Sequence, residues 1–74
     1  MLLTELEKSD CGIVKKIHAK TDLKQRLISF GVIKGAKIKL LAVAPKKSTI
    51  EIEVEKMKIA LRREEAKLIE VERC

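Results

Sequence analysis

Apolar residues along this 74-residue chain recur at two different periods, and the change of period marks out its elements. Between Thr49 and Glu55, Ile50, Ile52 and Val54 alternate with Glu51, Glu53 and Glu55, which is the period of a half-buried strand. Over about residues 22–31 the spacing lengthens. Leu23, Leu27 and Phe30 stand at i, i+4 and i+7 and share one face of a short helix. Asp22 fits its N-cap with Gln25 three residues on, a carboxylate version of the capping box. Gly31 stands where a left-handed residue ends the helix, and Gly35 where the chain turns into the next strand.

Two more strands follow from the same pattern. Residues 12–18 read as the first, after an N-terminal segment anchored by Leu3 and Leu6. Residues 36–44 place Ile38 and Leu40 on one face and Lys37 and Lys39 on the other. The apolar run Leu41-Ala42-Val43-Ala44 predicts cover on both faces at that end. Pro45-Lys46-Lys47-Ser48 makes a turn, so this strand and the glutamate-bearing one form a hairpin. That hairpin brings Lys37 and Lys39 near Glu51, Glu53 or Glu55, where cross-strand opposite charges contribute roughly 0.2–1 kcal/mol each.

The last third supports two readings. Lys56 to Glu70 is rich in strong helix formers, and propensity favours helix. A stripe through Met57 and Leu61, however, meets Glu64 and Glu65 before it reaches Leu68. The alternative is a strand through Met57, Ile59 and Leu61, one helical turn from Arg63 to Lys67, and a strand through Ile69 and Val71.

Size and charge narrow the function. A chain of this length folds as one domain, 1–74, burying only about 60% of the surface its unfolded form exposes, too little for a deep, dry catalytic pocket. Seventeen Lys and Arg against eleven Asp and Glu give a net charge of +6, which favours acidic partners in general. Phe30 is the only aromatic residue, so the base-stacking platforms of single-strand readers are missing and no specific nucleic-acid partner is expected. The pairs Lys15-Lys16, Lys46-Lys47 and Arg62-Arg63 could still contact phosphates weakly and in a salt-sensitive way.

Reactive groups are few. His18 has no nucleophile at a diagnostic spacing, and Glu64 and Glu65 are adjacent and diverge, so the chain does not read as an enzyme. Gly31 and Gly35 lack the Lys and Ser/Thr of a phosphate-binding loop. Cys11, His18 and Cys74 are the only soft metal ligands and have no motif spacing. Cys11 and His18 are thus weak metal candidates, and no required cofactor is expected. Two cysteines so far apart are too few for a disulfide framework, and the terminal position of Cys74 weakens a bridge. Met1-Leu2-Leu3 runs into Thr4-Glu5 without an apolar signal core, and no apolar run reaches the ~20 residues of a membrane span. The expectation is a soluble protein of a reducing compartment.

Taken in order, Leu3-x-x-Leu6, Gly12-x-Val14-x-x-Ile17, Arg26-Leu27-x-x-x-Gly31-x-x-x-Gly35, Ala44-Pro45 and Ile59-Ala60-Leu61-Arg62-Arg63-Glu64-Glu65-Ala66-x-x-Ile69-x-Val71 resemble the FeoA family. These are small cytosolic components of bacterial and archaeal ferrous-iron uptake, and a related module forms the C-terminal domain of some metal-dependent repressors. The resemblance covers almost the whole chain. It implies a mainly β fold, a small SH3-like antiparallel barrel of about five strands with the helix inserted after the first. It also implies the strand, helical turn, strand reading of the last third.

The departures are Ser9 where the family often has Gly, Lys46-Lys47-Ser48-Thr49 in place of Leu-Gly-Asp-Pro, and Lys56 near a frequent Gly. They make the hairpin tip basic and less sharply turned. The function implied is a non-enzymatic cytosolic accessory that docks on the cytosolic domain of a ferrous-iron permease and meets the membrane only through it, with at most a weak or transient ferrous-iron contact of its own. A metal-responsive regulatory domain and a small basic nucleic-acid-binding barrel are the alternatives. Contact residues expected from geometry are Arg26, Phe30, Val32 and Ile33 around the helix exit and Lys46 and Lys47 at the basic tip. A homo-oligomer through an exposed strand edge is compatible with each reading.

Overall fold

The structure is a computed structural model that describes residues 1–46 and 48–74. Five strands form one antiparallel sheet: β1 (Cys11–Ile17), β2 (Lys37–Val43), β3 (Thr49–Val54), β4 (Met57–Arg62) and β5 (Ile69–Arg73). Their spatial order is β4-β3-β2-β1-β5. Helix α1 (Thr21–Ser29) joins β1 to β2, and the short α2 (Arg63–Ala66) joins β4 to β5. The architecture is mainly β, but the barrel is not closed, because among the described residues no ladder joins β4 to β5. Residues Met1 and Leu2 instead lie along the outer edge of β5, through Met1–Val71 backbone bonds and a bridge from Leu2 to Glu70.

One face of every strand feeds a single core. Val14, Ile38, Leu40, Ile50, Ile52, Val54, Ile59, Leu61, Ile69 and Val71 are all buried there, with Leu3, Leu6, Leu27, Val32 and Ala66 closing it. Gly12 is part of this arrangement. A Cβ at that position would stand 3.1 Å from Val71 Cβ and 3.3 Å from Leu6 Cδ1, so an alanine fits only if β5 and the N-terminal segment give by a few tenths of an ångström.

The pattern-based elements sit within one or two residues of the observed ones, and the ambiguous third is strand, helix, strand. Ile59, Leu61, Ile69 and Val71 all point inward, which a single helix could not achieve. Gly31 and Gly35 have φ of 91° and 89°, as a helix stop and a strand-entering turn require.

Three expectations are corrected. The N-cap of α1 is Lys20, without a side-chain cap bond, and Asp22 lies inside the first turn, where its charge suits the helix dipole. The Leu41–Ala44 run is not covered on both faces. A bulge between Leu40 and Ala42 shifts the register, and the strand runs past the core, leaving Ala42 and Val43 exposed. Cys11 and Cys74 are disulfide-bonded. Antiparallel pairing of β1 and β5, with Gly12 opposite Arg73, brings the two cysteines to a Cα separation of 5.5 Å however far apart they are in sequence. The β3–β4 hairpin, a separate turn from the basic tip at 45–48, is tight without glycine: Glu55 and Lys56 take φ of 51° and 67°, and Val54 pairs with Met57, the pattern of a two-residue primed turn.

Candidate functional site

The surface feature with most chemistry lies between β1 and α1. Strand alternation buries Gly12 and Val14 and would next turn Lys16 inward. A bulge opposite β5, between Val14 and Lys16, prevents this. One extra residue lets Lys15 and Lys16 both reach solvent, and Ile17 regains the inward phase opposite buried Ile69. The loop after α1 returns to β1, where Gly35 N–H bonds to the Val14 carbonyl and Val14 N–H to the Ala36 carbonyl, at 2.8 and 2.9 Å.

These ties enclose a groove of about 340 Å³. Ile17, Ile28 and Ile33 line its apolar floor, and Lys15, Lys16, Lys24 and Lys34 its rim. Ile28 and Ile33 are each 46% exposed, an unusual state for two large aliphatic residues meeting in one depression. Lys15 pairs with exposed Glu72 at 3.0 Å. Among the described residues, no carboxylate pairs with Lys16, Lys24 or Lys34.

The contact residues expected from the sequence are not brought together. Ile33 belongs to this groove. Arg26 and half-buried Phe30 line a different depression, with Ala60, Leu61, Arg62 and Glu65. Val32 is fully buried in the core and offers no surface. Lys46 is exposed in the β2–β3 turn, and Lys47 lies outside the described residues. Sequence reasoning missed Lys24, Lys34 and Ile28 as partners of Ile33. The slip of phase between Val14 and Ile17 was a legible signal that Lys15 and Lys16 share one side. Ile28, an apolar residue off the helix stripe, was a second.

Arg26 has a structural partner. Its guanidinium donates to Glu65 Oε2, while Glu65 Oε1 accepts from the Arg62 backbone N–H at 2.9 Å. Glu65 thus links α1 to the start of α2. Burial pushes its carboxyl up, but the Arg62 N–H, with the charges of Arg26 and Arg62, outweighs that and holds it below the ordinary carboxylate range.

The weak metal candidates are separated. Cys11 is engaged by Cys74, and His18 Nε2 lies 3.2 Å from Glu70 Oε1. Among the described residues, no group of three or more His, Cys, Asp or Glu is arranged to hold a metal ion. No helix among them is long and apolar enough to cross a membrane.

Comparison with known proteins now decides the lineage. The FeoA domain profile matches residues 1–73. The chain belongs to the FeoA family. An Fe(2+) transport protein A of Campylobacter jejuni is 39% identical over 71 residues, which are 96% of each chain. The solution structure of a Chlorobium tepidum FeoA protein superposes with a TM-score of 0.92 at 37% identity, covering 96% of this chain and 68% of that one. A Stenotrophomonas maltophilia FeoA crystallised with zinc, described as an SH3 domain protein, gives a TM-score of 0.83 at 29% identity over 97% and 89% of the two chains. The five strands and inserted helix of this FeoA chain are therefore the SH3-like arrangement of its relatives.

Proposed function

We propose that this FeoA-family chain is a non-enzymatic cytosolic accessory of ferrous-iron uptake that docks on the cytosolic part of an FeoB-like permease and sets its transport rate. The observation that carries this reading is the family match over residues 1–73, with a named Fe(2+) transport relative matched over 96% of both chains. The surface is consistent with it. The chain carries a net charge of +6, which favours an acidic partner, and a groove with exposed aliphatic residues that a partner could cover. Of the residues first expected at the contact, Ile33 and Lys46 are free to serve. Arg26 and Phe30 line a separate depression.

The test is direct. In its host, loss of the gene should lower anaerobic uptake of labelled ferrous iron severalfold, with restoration by the wild-type copy. Tagged protein should retain the solubilised permease. Unchanged uptake, together with no retention of the permease at physiological salt, overturns the reading.

A further inference from the structure

The lysine-rimmed groove carries information about the kind of partner it takes. Four lysines line one small depression, of which Lys15 is paired with Glu72, and no carboxylate residue is among the lining. Lysines gathered on one side of the surface raise the local positive potential and so favour an anionic partner. The floor meanwhile leaves Ile28 and Ile33 each 46% exposed beside Ile17, apolar area that burial would stabilise. A ligand must therefore satisfy both requirements at once, apolar in its middle and acidic on its flanks.

We infer that this groove is the receptor for a short acidic amphipathic segment of another protein. Its aliphatic side chains seat on Ile17, Ile28 and Ile33, and its carboxylates meet Lys15, Lys16, Lys24 and Lys34. Shape selects a protein segment over a membrane. Membrane-seeking surfaces drive protruding apolar side chains into the acyl boundary, whereas these isoleucines line a concavity. Chemistry selects against nucleic acid, since no aromatic ring lines the groove on which a base could stack. The volume, about 340 Å³, accepts a few aliphatic side chains presented at i, i+3 and i+4 by a helical segment. The inference rests on the permease reading only for the identity of the partner. The groove's preference is a property of this chain.

The experiment uses the full isotope-labelled chain and follows its amide resonances. The first probe is a synthetic peptide with leucines on one helical stripe and glutamates flanking it, and the second is the same composition scrambled to break the stripe. Phosphatidylcholine vesicles with about a third phosphatidylglycerol and a short uridine oligonucleotide are the third and fourth.

The striped peptide should shift Lys15–Ile17, Lys24, Ile28, Ile33 and Lys34 saturably, and the scrambled one should bind at least fivefold more weakly. Ile33→Ser and Lys24→Glu, both at exposed positions, should each weaken binding at least fivefold while leaving the remaining amide spectrum dispersed. Equal binding of the two peptides overturns the proposal, as does stronger binding of vesicles or oligonucleotide at these residues, or the absence of localised shifts. A permease cytosolic domain that binds elsewhere on the chain removes the permease as the groove's partner and leaves the uptake function standing. A groove that takes the striped peptide while the permease domain does not bind keeps the inference and removes the permease.

Discussion

Glu65 offers the sharpest test of how the two helices are held, because one carboxylate serves both. Oε1 accepts the backbone N–H of Arg62 at the start of α2, and Oε2 accepts from Arg26 on α1. Truncation in Glu65→Ala removes both. A side-chain acceptor at a helix start is worth about 1 kcal/mol. The Arg26 side chain is 54% exposed and that of Glu65 only 17%, so the ion pair is a partly screened one, adding about 0.5–1 kcal/mol. The expected loss is therefore about 1.5–2 kcal/mol, or roughly 10 °C in Tm for a domain of this size.

Urea denaturation of wild type, Arg26→Ala, Glu65→Ala and the double variant separates the parts. The cycle should return a coupling of about 0.5–1 kcal/mol, leaving the remainder to the helix-start bond. Acid adds a second readout. The folded carboxyl is held below its ordinary value, so its stabilisation is complete above the unfolded pKa of about 4.3 and is lost as pH falls through the lower folded value. The gap between wild type and Glu65→Ala should stay constant from neutral pH to about 5 and shrink in more acid solution. A coupling indistinguishable from zero, or a gap that widens on acidification, refutes the assignment. It would return Arg26 to the list of free contact residues.

Two further outcomes follow from the packing of β1. Gly12→Ala should lower stability by about 1–3 kcal/mol, read as a reduced urea midpoint at unchanged slope, because the new Cβ meets Val71 and Leu6 at 3.1–3.3 Å; a neutral result would mean that β5 yields freely. Reduction of Cys11–Cys74, which are 63 residues apart, should cost up to about 4 kcal/mol by the chain-entropy argument. Cys74→Ser should match the reduced wild type, and midpoints equal to that of the oxidised protein would show that the bond constrains nothing.

Most of the fold was legible because its signals are local. Alternation through Ile50, Ile52 and Val54 fixes which face of β3 is buried, and the Leu23, Leu27, Phe30 spacing fixes that of α1. The last third was not legible from propensity, since what decides it is tertiary: Ile59, Leu61, Ile69 and Val71 are drawn into one core by strands that lie far apart in the sheet order. The cysteine pair was missed for the same reason. Sequence distance says nothing about register, and only the β1–β5 ladder sets Cys11 opposite Cys74. The turn at Glu55-Lys56 was not foreseen because positive φ is usually announced by Gly or Asn, and here the flanking ladder imposes it on two charged residues.

The candidate site depends on a still less visible device. A single bulge in β1 turns Lys15 and Lys16 to the same side and lets Ile17 regain the inward phase. Removing it would slip the phase and send Lys16 toward the core, where an unpaired ammonium is strongly disfavoured. The bulge is thus constrained from both directions, by the buried residues before it and by the charge it keeps in water. Helix α1 adds the second constraint. Leu27, on its stripe, is committed to the core, so the neighbouring Ile28 must face out, toward the strand that carries the lysines. The same packing that makes the domain stable therefore leaves an aliphatic floor beneath a basic rim. A surface of that kind is a consequence of the fold's register, and any acidic amphipathic partner would be read by it.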